Sequence, residues 1–203
     1  MKKVTRLQFI GFIFTVICGV LLHFAYEWSG NSNFWAMFSG VNESTWEHMK
    51  LLFFPMFIFS LIENVFLEEK YHNFWCVKFI GITSGIIMIP VIFYTFNGVL
   101  GTTPSCVNIS IFAVSAGFTY WLETRLFSRE TKLCREPQYA LLMLFILSIV
   151  FVLFTYAPPH LPLFQDPITK GYGININKKW LENIKPLFIM KLLPLDCCYR
   201  LGC

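Results

Sequence analysis

Charge is scarce in this sequence. Asp, Glu, Lys and Arg make up 14% of its 203 residues, where a soluble domain carries roughly 25%. The net charge is only +4, and the basic residues fall in short scattered groups. That leaves no basic face for a phosphate backbone, so nucleic-acid binding is excluded as a reading. No HExxH, GxSxG or Walker pattern occurs, which removes the motif-based routes to a zinc protease, a serine hydrolase or a nucleotidase. No repeat or low-complexity tract is present. Cys18, Cys76, Cys106 and Cys134 lack ligand-like spacing and read as small buried hydrophobes.

What is abundant is apolar surface, with 56% of residues hydrophobic and 18% aromatic. A soluble fold of this length cannot hide so much, whereas a bilayer accepts it. A span needs about 20 mainly apolar residues. Five segments meet this approximately: Leu7–Tyr26, His48–Leu67, Phe74–Phe96, Cys106–Phe127 and Tyr139–Ala157. The first run is too long for a signal-peptide core and lacks a small-residue cleavage site, so it reads as a retained span. The expected fold is all-α: a bundle of about five transmembrane helices over residues 1–174, followed by a tail over 175–203. A short interfacial helix is expected around Phe34–Phe38.

Lysine and arginine set the expected orientation. Lys2, Lys3 and Arg6 precede span one. Lys70 and Lys78 flank the second connection, and Arg125, Arg129, Lys132 and Arg135 mark the fourth. Glu27–Glu47 holds no Lys or Arg, and Asn97–Ser105 holds no charge. This alternation predicts a cytoplasmic N-terminus and a fifth span ending outside, in a multi-pass protein with the lipid bilayer as its partner.

Small residues recur at steps of four, as Gly11, Thr15 and Gly19 in span one and as Gly81 and Gly85 in span three. That spacing lets helix backbones approach closely in lipid. Pro55 and Pro90 each remove a backbone donor and predict kinks. Glu63, Asn64 and Glu123, near the inner ends of their spans, read as structural partners for Lys70, Lys78 or Arg125.

The topology gathers the remaining polar residues on the outer side. His23 and Glu27 continue the step-of-four ridge of span one. Glu43, Glu47 and His48 open span two, flanked by Asn42 and Lys50. His160 and Asp166 follow span five in a proline-rich stretch expected to be extended. Together they form an expected outward-facing polar vestibule. Imidazole and carboxylate ligate zinc and similar ions, and a spare glutamate could activate water. One reading is thus a metal-dependent membrane hydrolase, with His23, His48, His160 and Asp166 as ligands of a divalent metal such as zinc and Glu43 or Glu47 as base. Another is a protein that binds or transports a small solute or cation through His23, Glu27, Asn42, His48, Lys50, His160 and Asp166. A third is structural. Ser44-Thr45-Trp46-Glu47 fits a capping box, and Trp28, Trp35 and Trp46 fit an interfacial aromatic belt.

Three separated segments also carry a resemblance. They are His23-Phe24-Ala25-Tyr26-Glu27-Trp28-Ser29-Gly30, then Val41-Asn42-Glu43-Ser44-Thr45-Trp46-Glu47-His48-Met49-Lys50, then Pro158 to Pro167 with Tyr172-Gly173. In this order they resemble an uncharacterised bacterial family of multi-pass membrane proteins, known as domain of unknown function 6512, over about Leu7 to Ile174. The resemblance implies a small bacterial plasma-membrane protein and supplies no activity. Multi-pass hydrolases of the alkaline-ceramidase type are similar only in general architecture. This chain lacks their closing pair of histidines on the last span. The tail, with Lys178–Leu195 and the cysteines Cys197, Cys198 and Cys203, predicts at most a short interfacial helix.

Overall fold

A computed structural model describes residues 2–67, 71–101, 105–128 and 136–174. Five long helices dominate: α1 (Lys2–Trp28), α3 (Thr45–Leu67), α4 (Phe74–Leu100), α5 (Ser105–Phe127) and α6 (Pro137–Tyr156). A four-residue helix α2 (Asn33–Ala36) lies between α1 and α3, and a 3₁₀ turn (Pro162–Phe164) follows α6. Among the described residues there is no strand, only one isolated antiparallel bridge between Gln165 and Tyr172. The interfacial helix expected around Phe34–Phe38 thus appears as α2. The expected tail helix lies outside the described residues.

Among the described residues four helices are long and apolar enough to cross a membrane: α1, α3, α4 over Phe74–Val99, and α6. At 1.5 Å per residue, the 20 residues of α6 reach about 30 Å, the thickness of a hydrocarbon core. Helix α5 has 23 residues and carries more polar side chains, among them Asn108, Ser115, Thr119 and Glu123. Pro55 and Pro90 sit inside α3 and α4, which continue through them. Helix α6 begins with Pro137, whose missing N–H costs nothing at a helix start. Helix α4 stops at Gly101, left-handed at φ 73°, whose N–H returns to the Asn97 carbonyl. Glycine takes that conformation without penalty.

Burial is arranged for lipid rather than water. Phe9, Ile10, Ile13 and Ile17 of α1, Ile62, Val65 and Phe66 of α3, and Leu142, Ile146, Ile149 and Leu153 of α6 are exposed. Gln8, Thr15, Ser60, Glu63, Lys78, Ser115, Thr119 and Glu123 are buried. An apolar exterior around a polar interior suits a solvent that offers no hydrogen bonds. The chain is a helical membrane protein.

The small-residue stripes make the close contacts. A Cβ added at Gly11 would lie 2.5 Å from the Phe59 ring, and one at Gly19 would lie 2.4 Å from the Phe112 ring. Between them Thr15 is fully buried and shares a 2.8 Å hydrogen bond with the Tyr120 hydroxyl. Gly81 and Gly85 likewise let Glu123 and Thr119 of α5 lie against α4. Cys76 is buried, as expected, but disulfide-bonded.

Candidate functional site

The end of the bundle where α1 finishes and α3 begins is built from three chain segments. Phe164 of the 3₁₀ turn is buried against Trp46, with ring centroids 4.6 Å apart, and Trp46 also meets Phe151 at 4.6 Å and Phe154 at 5.5 Å. Trp46 therefore lies in the core and not in the interfacial belt, because residues 162–164 fold back over the start of α3. Trp28 and Trp35 are exposed, as a belt requires. The proline-rich stretch is not simply extended, since it tightens into the 3₁₀ turn at Pro162.

The candidate residues divide into two groups. In the first, polar atoms are consumed by the fold. Glu47 and Lys50 form a buried ion pair at 2.6 Å, 2% and 0% exposed. Lys50 Nζ also donates to the Ala36 carbonyl at 2.9 Å and to Thr155 Oγ1 at 2.8 Å. Glu47 accepts from the Val41 N–H at 3.1 Å. This network ties α2, α3 and α6 together. It takes over half of the expected capping box. The Glu47 N–H still donates to Ser44 Oγ at 3.4 Å, but the carboxylate serves Val41, and the Ser44 N–H donates to Asn42 Oδ1 instead. The Asn42 amide reaches the Gly173 carbonyl at 3.2 Å. Asp166 accepts from the N–H groups of Ile168 and Thr169 and from the Thr169 hydroxyl, holding its own turn. His160 is exposed, with its ring against Tyr172 at 4.6 Å. Glu27 is exposed too. Steps of four drift by about 40° each, so Glu27 lies about 120° round the helix from the buried Thr15.

In the second group, the fold brings together His23, Glu43 and His48. His23 Nε2 lies 3.5 Å from Glu43 Oε1, and His48 Nε2 lies 3.7 Å from Glu43 Oε2. The two imidazole rings are 5.7 Å apart. All three side chains are partly buried, between 18% and 26% exposed. Gly40 passes close by, leaving 3.7 Å between a would-be Cβ and His23 Nδ1. Glu43 and His48 border a shallow open cleft between α3, α4 and α5. Its other walls are Thr45, Asn108, Ile89, Phe93, Ile111 and Phe112. Asn108 Oδ1 is buried there without a hydrogen-bond partner. Neither Asn108 nor the apolar cleft wall stood out in the sequence, because each reads as ordinary span composition.

The chemistry follows from proton positions. His48 Nδ1 lies 2.9 Å from the Ser44 carbonyl. A carbonyl only accepts, so Nδ1 carries hydrogen. In the neutral ring Nε2 then presents a lone pair toward the Glu43 carboxylate. Two lone-pair donors face each other until a proton or another cation comes between them. Metal-ligating histidines commonly hold their second nitrogen on a carbonyl in this way. Even so, among the described residues no group of three or more His, Cys, Asp and Glu is arranged to hold a metal ion. The 3.5 and 3.7 Å separations exceed the roughly 3.3 Å between neighbouring ligands of a tetrahedral zinc.

Residues 1–174 match the model of a family described as a family of unknown function, DUF6512. No curated protein and no solved structure matches the chain.

Proposed function

The chain belongs to the DUF6512 family, and we propose that it is a membrane protein that binds a small cationic ligand at the His23–Glu43–His48 cluster. The observation that carries this is one carboxylate flanked by two imidazole nitrogens at the mouth of a cleft. The carboxylate supplies the counter-charge, and the nitrogens accept hydrogen bonds from an ammonium group. Phe93 and Phe112 in the cleft wall suit the apolar part of such a ligand, since aromatic faces attract organic cations. The expected orientation, with this end outside, would present the cleft to extracellular solutes or to the outer leaflet of the plasma membrane.

A second reading keeps the metal. The His48 Nδ1–carbonyl contact favours it, and two imidazoles with one carboxylate are the ligand set of several catalytic zinc sites. For a hydrolase, Glu47 is badly placed as base because its oxygens serve Lys50 and Val41.

The test is ligand-induced stabilisation of the purified protein in nanodiscs, read as a thermal shift. A ligand at 100 times its Kd stabilises by about 2.7 kcal/mol. Ethanolamine and hexylamine should stabilise the wild type but not Glu43→Gln. Stabilisation by ZnCl2 alone, lost in both His23→Ala and His48→Ala, would transfer the site to the metal reading. If neither amines nor zinc shifts the wild type, the cluster is not a cation site.

A further inference from the structure

The opposite end of the bundle holds a second cluster that the cation site does not use. Glu63 of α3, Lys78 of α4 and Glu123 of α5 meet there, each no more than 1% exposed. Lys78 Nζ lies 2.6 Å from Glu123 Oε2 and also contacts Glu63 Oε2 directly. The rings of Phe74, Tyr120 and Phe127 surround the ammonium at 5.7 to 5.8 Å. From α1, Gln8 Nε2 donates to Glu63 Oε1 at 2.9 Å. Glu63 lies four residues from the end of α3 and Lys78 four residues from the start of α4. The cluster is therefore about 6 Å inside the helix ends, where water is excluded.

The charges do not balance. Two carboxylates face one ammonium, leaving one negative charge buried when both carboxylates are ionised. An uncompensated buried charge costs several kcal/mol, and the cheapest remedy is a proton. A second observation asks for the same thing. Gln8 is 2% exposed, and its Oε1 is a buried acceptor without a donor, set beside carboxyl groups that have no hydrogen of their own unless protonated. A third concerns access. A shallow cleft at this end is lined by Val4, Thr5, Tyr71, Thr124, Phe127 and Ser128. Four of these carry hydroxyls, and Phe127 is the ring that also touches Lys78. Phe127 therefore borders both the hydroxyl-lined cleft and the ammonium.

We propose that Glu63, Lys78 and Glu123 form an intramembrane proton-binding site that takes up one proton, shared by the two carboxyls, through the Thr5–Thr124–Ser128 cleft. Uptake moves one proton from water to a carboxylate oxygen. The cluster goes from one net negative charge to none, with Lys78 remaining an ammonium. The groups facing it are Gln8 from α1, Glu63 from α3, Lys78 from α4, and Glu123 and Tyr120 from α5. Tyr120 turns its hydroxyl away to Thr15. The nearby bases Lys3, Arg6 and Arg125 are exposed and lie outside the cluster.

Infrared spectroscopy of the full chain in nanodiscs tests this. The protein should show a protonated-carboxyl C=O band that titrates with bulk pH, shifts on transfer to D2O, and disappears in Glu123→Gln and in Glu63→Gln. These variants replace a carboxyl by an isosteric amide and leave a balanced Glu–Lys pair, so folding should survive. Circular dichroism would check that it does. Glu43→Gln, at the far end, should leave the band unchanged, which separates this site from the cation site. Three results would overturn the proposal: no such band at any pH where the protein is folded, a band that neither titrates nor exchanges, or a band removed by Na⁺ at constant pH.

Discussion

At the scale of single residues, the same side-chain types do opposite work at one end of the bundle. Glu47 and Lys50 are sealed in an ion pair, whereas Glu43, four residues earlier, meets only the two imidazoles among its described partners. Truncating one member of a buried pair strands the other. Lys50→Ala should therefore cost about 3–5 kcal/mol of stability, measured by denaturant unfolding in micelles. Replacing both partners, in Glu47→Leu with Lys50→Met, should recover most of that loss, because two apolar groups leave no unpaired charge. Glu43→Gln should change stability by less than about 0.5 kcal/mol while abolishing cation binding. The sequence put all of these residues near one surface through their position at span ends. It did not separate them, because a glutamate's partner is not written in its neighbours. Glu47 sat in a plausible capping box, and only the folded chain turned its carboxylate toward Lys50 and Val41.

At the scale of helices, the step-of-four glycines decide how closely the bundle packs. A Cβ at Gly85 would fall 1.9 Å from Thr119 Oγ1 and 3.3 Å from the Ser115 carbonyl, while one at Gly98 would meet nothing within 4 Å. Gly85→Leu should lower the thermal unfolding midpoint in nanodiscs, at a cost of at least about 1–3 kcal/mol. Gly98→Leu, on the same helix, should be near neutral, and equal effects would refute close α4–α5 packing as the reason for Gly85. The glycine and threonine stripes were legible as packing surfaces from spacing alone. The slow rotation of the ridge keeps His23 at the cluster and leaves Glu27 exposed.

At the scale of the whole molecule, orientation is the open quantity with the clearest physical handle. Lys and Arg collect at the ends where α1 begins and α5 finishes, and none occurs between Glu27 and Glu47. The positive-inside rule then predicts that α2 and the proposed cation site lie outside. Cys76 is disulfide-bonded at the basic end, and oxidising compartments favour such bonds, so the two signals oppose each other. Charge is distributed over several connections and is the stronger determinant. A cysteine at Ser32 in a cysteine-free background should react with a membrane-impermeant maleimide in intact cells. One at Ser128 should react only after lysis. The reverse pattern would turn the molecule over, and with it the side from which each site is reached.

The sequence by itself determined the solvent, the helices and their approximate ends. Those depend on composition summed along one dimension, where 20 apolar residues in a row have few alternatives in water or in lipid. It also determined which polar residues share an end of the bundle. Only the tertiary structure decided their partners. It used Asn42, Glu47, Lys50 and Asp166 to hold the chain, left Glu27 and His160 exposed, and brought His23 to Glu43 and His48 at the edge of a cleft. The reason is geometric. A side chain's chemistry is set by what lies within about 4 Å, and the fold adds to near neighbours residues far apart in sequence, as it brings His23 to Glu43 and Asn42 to Gly173.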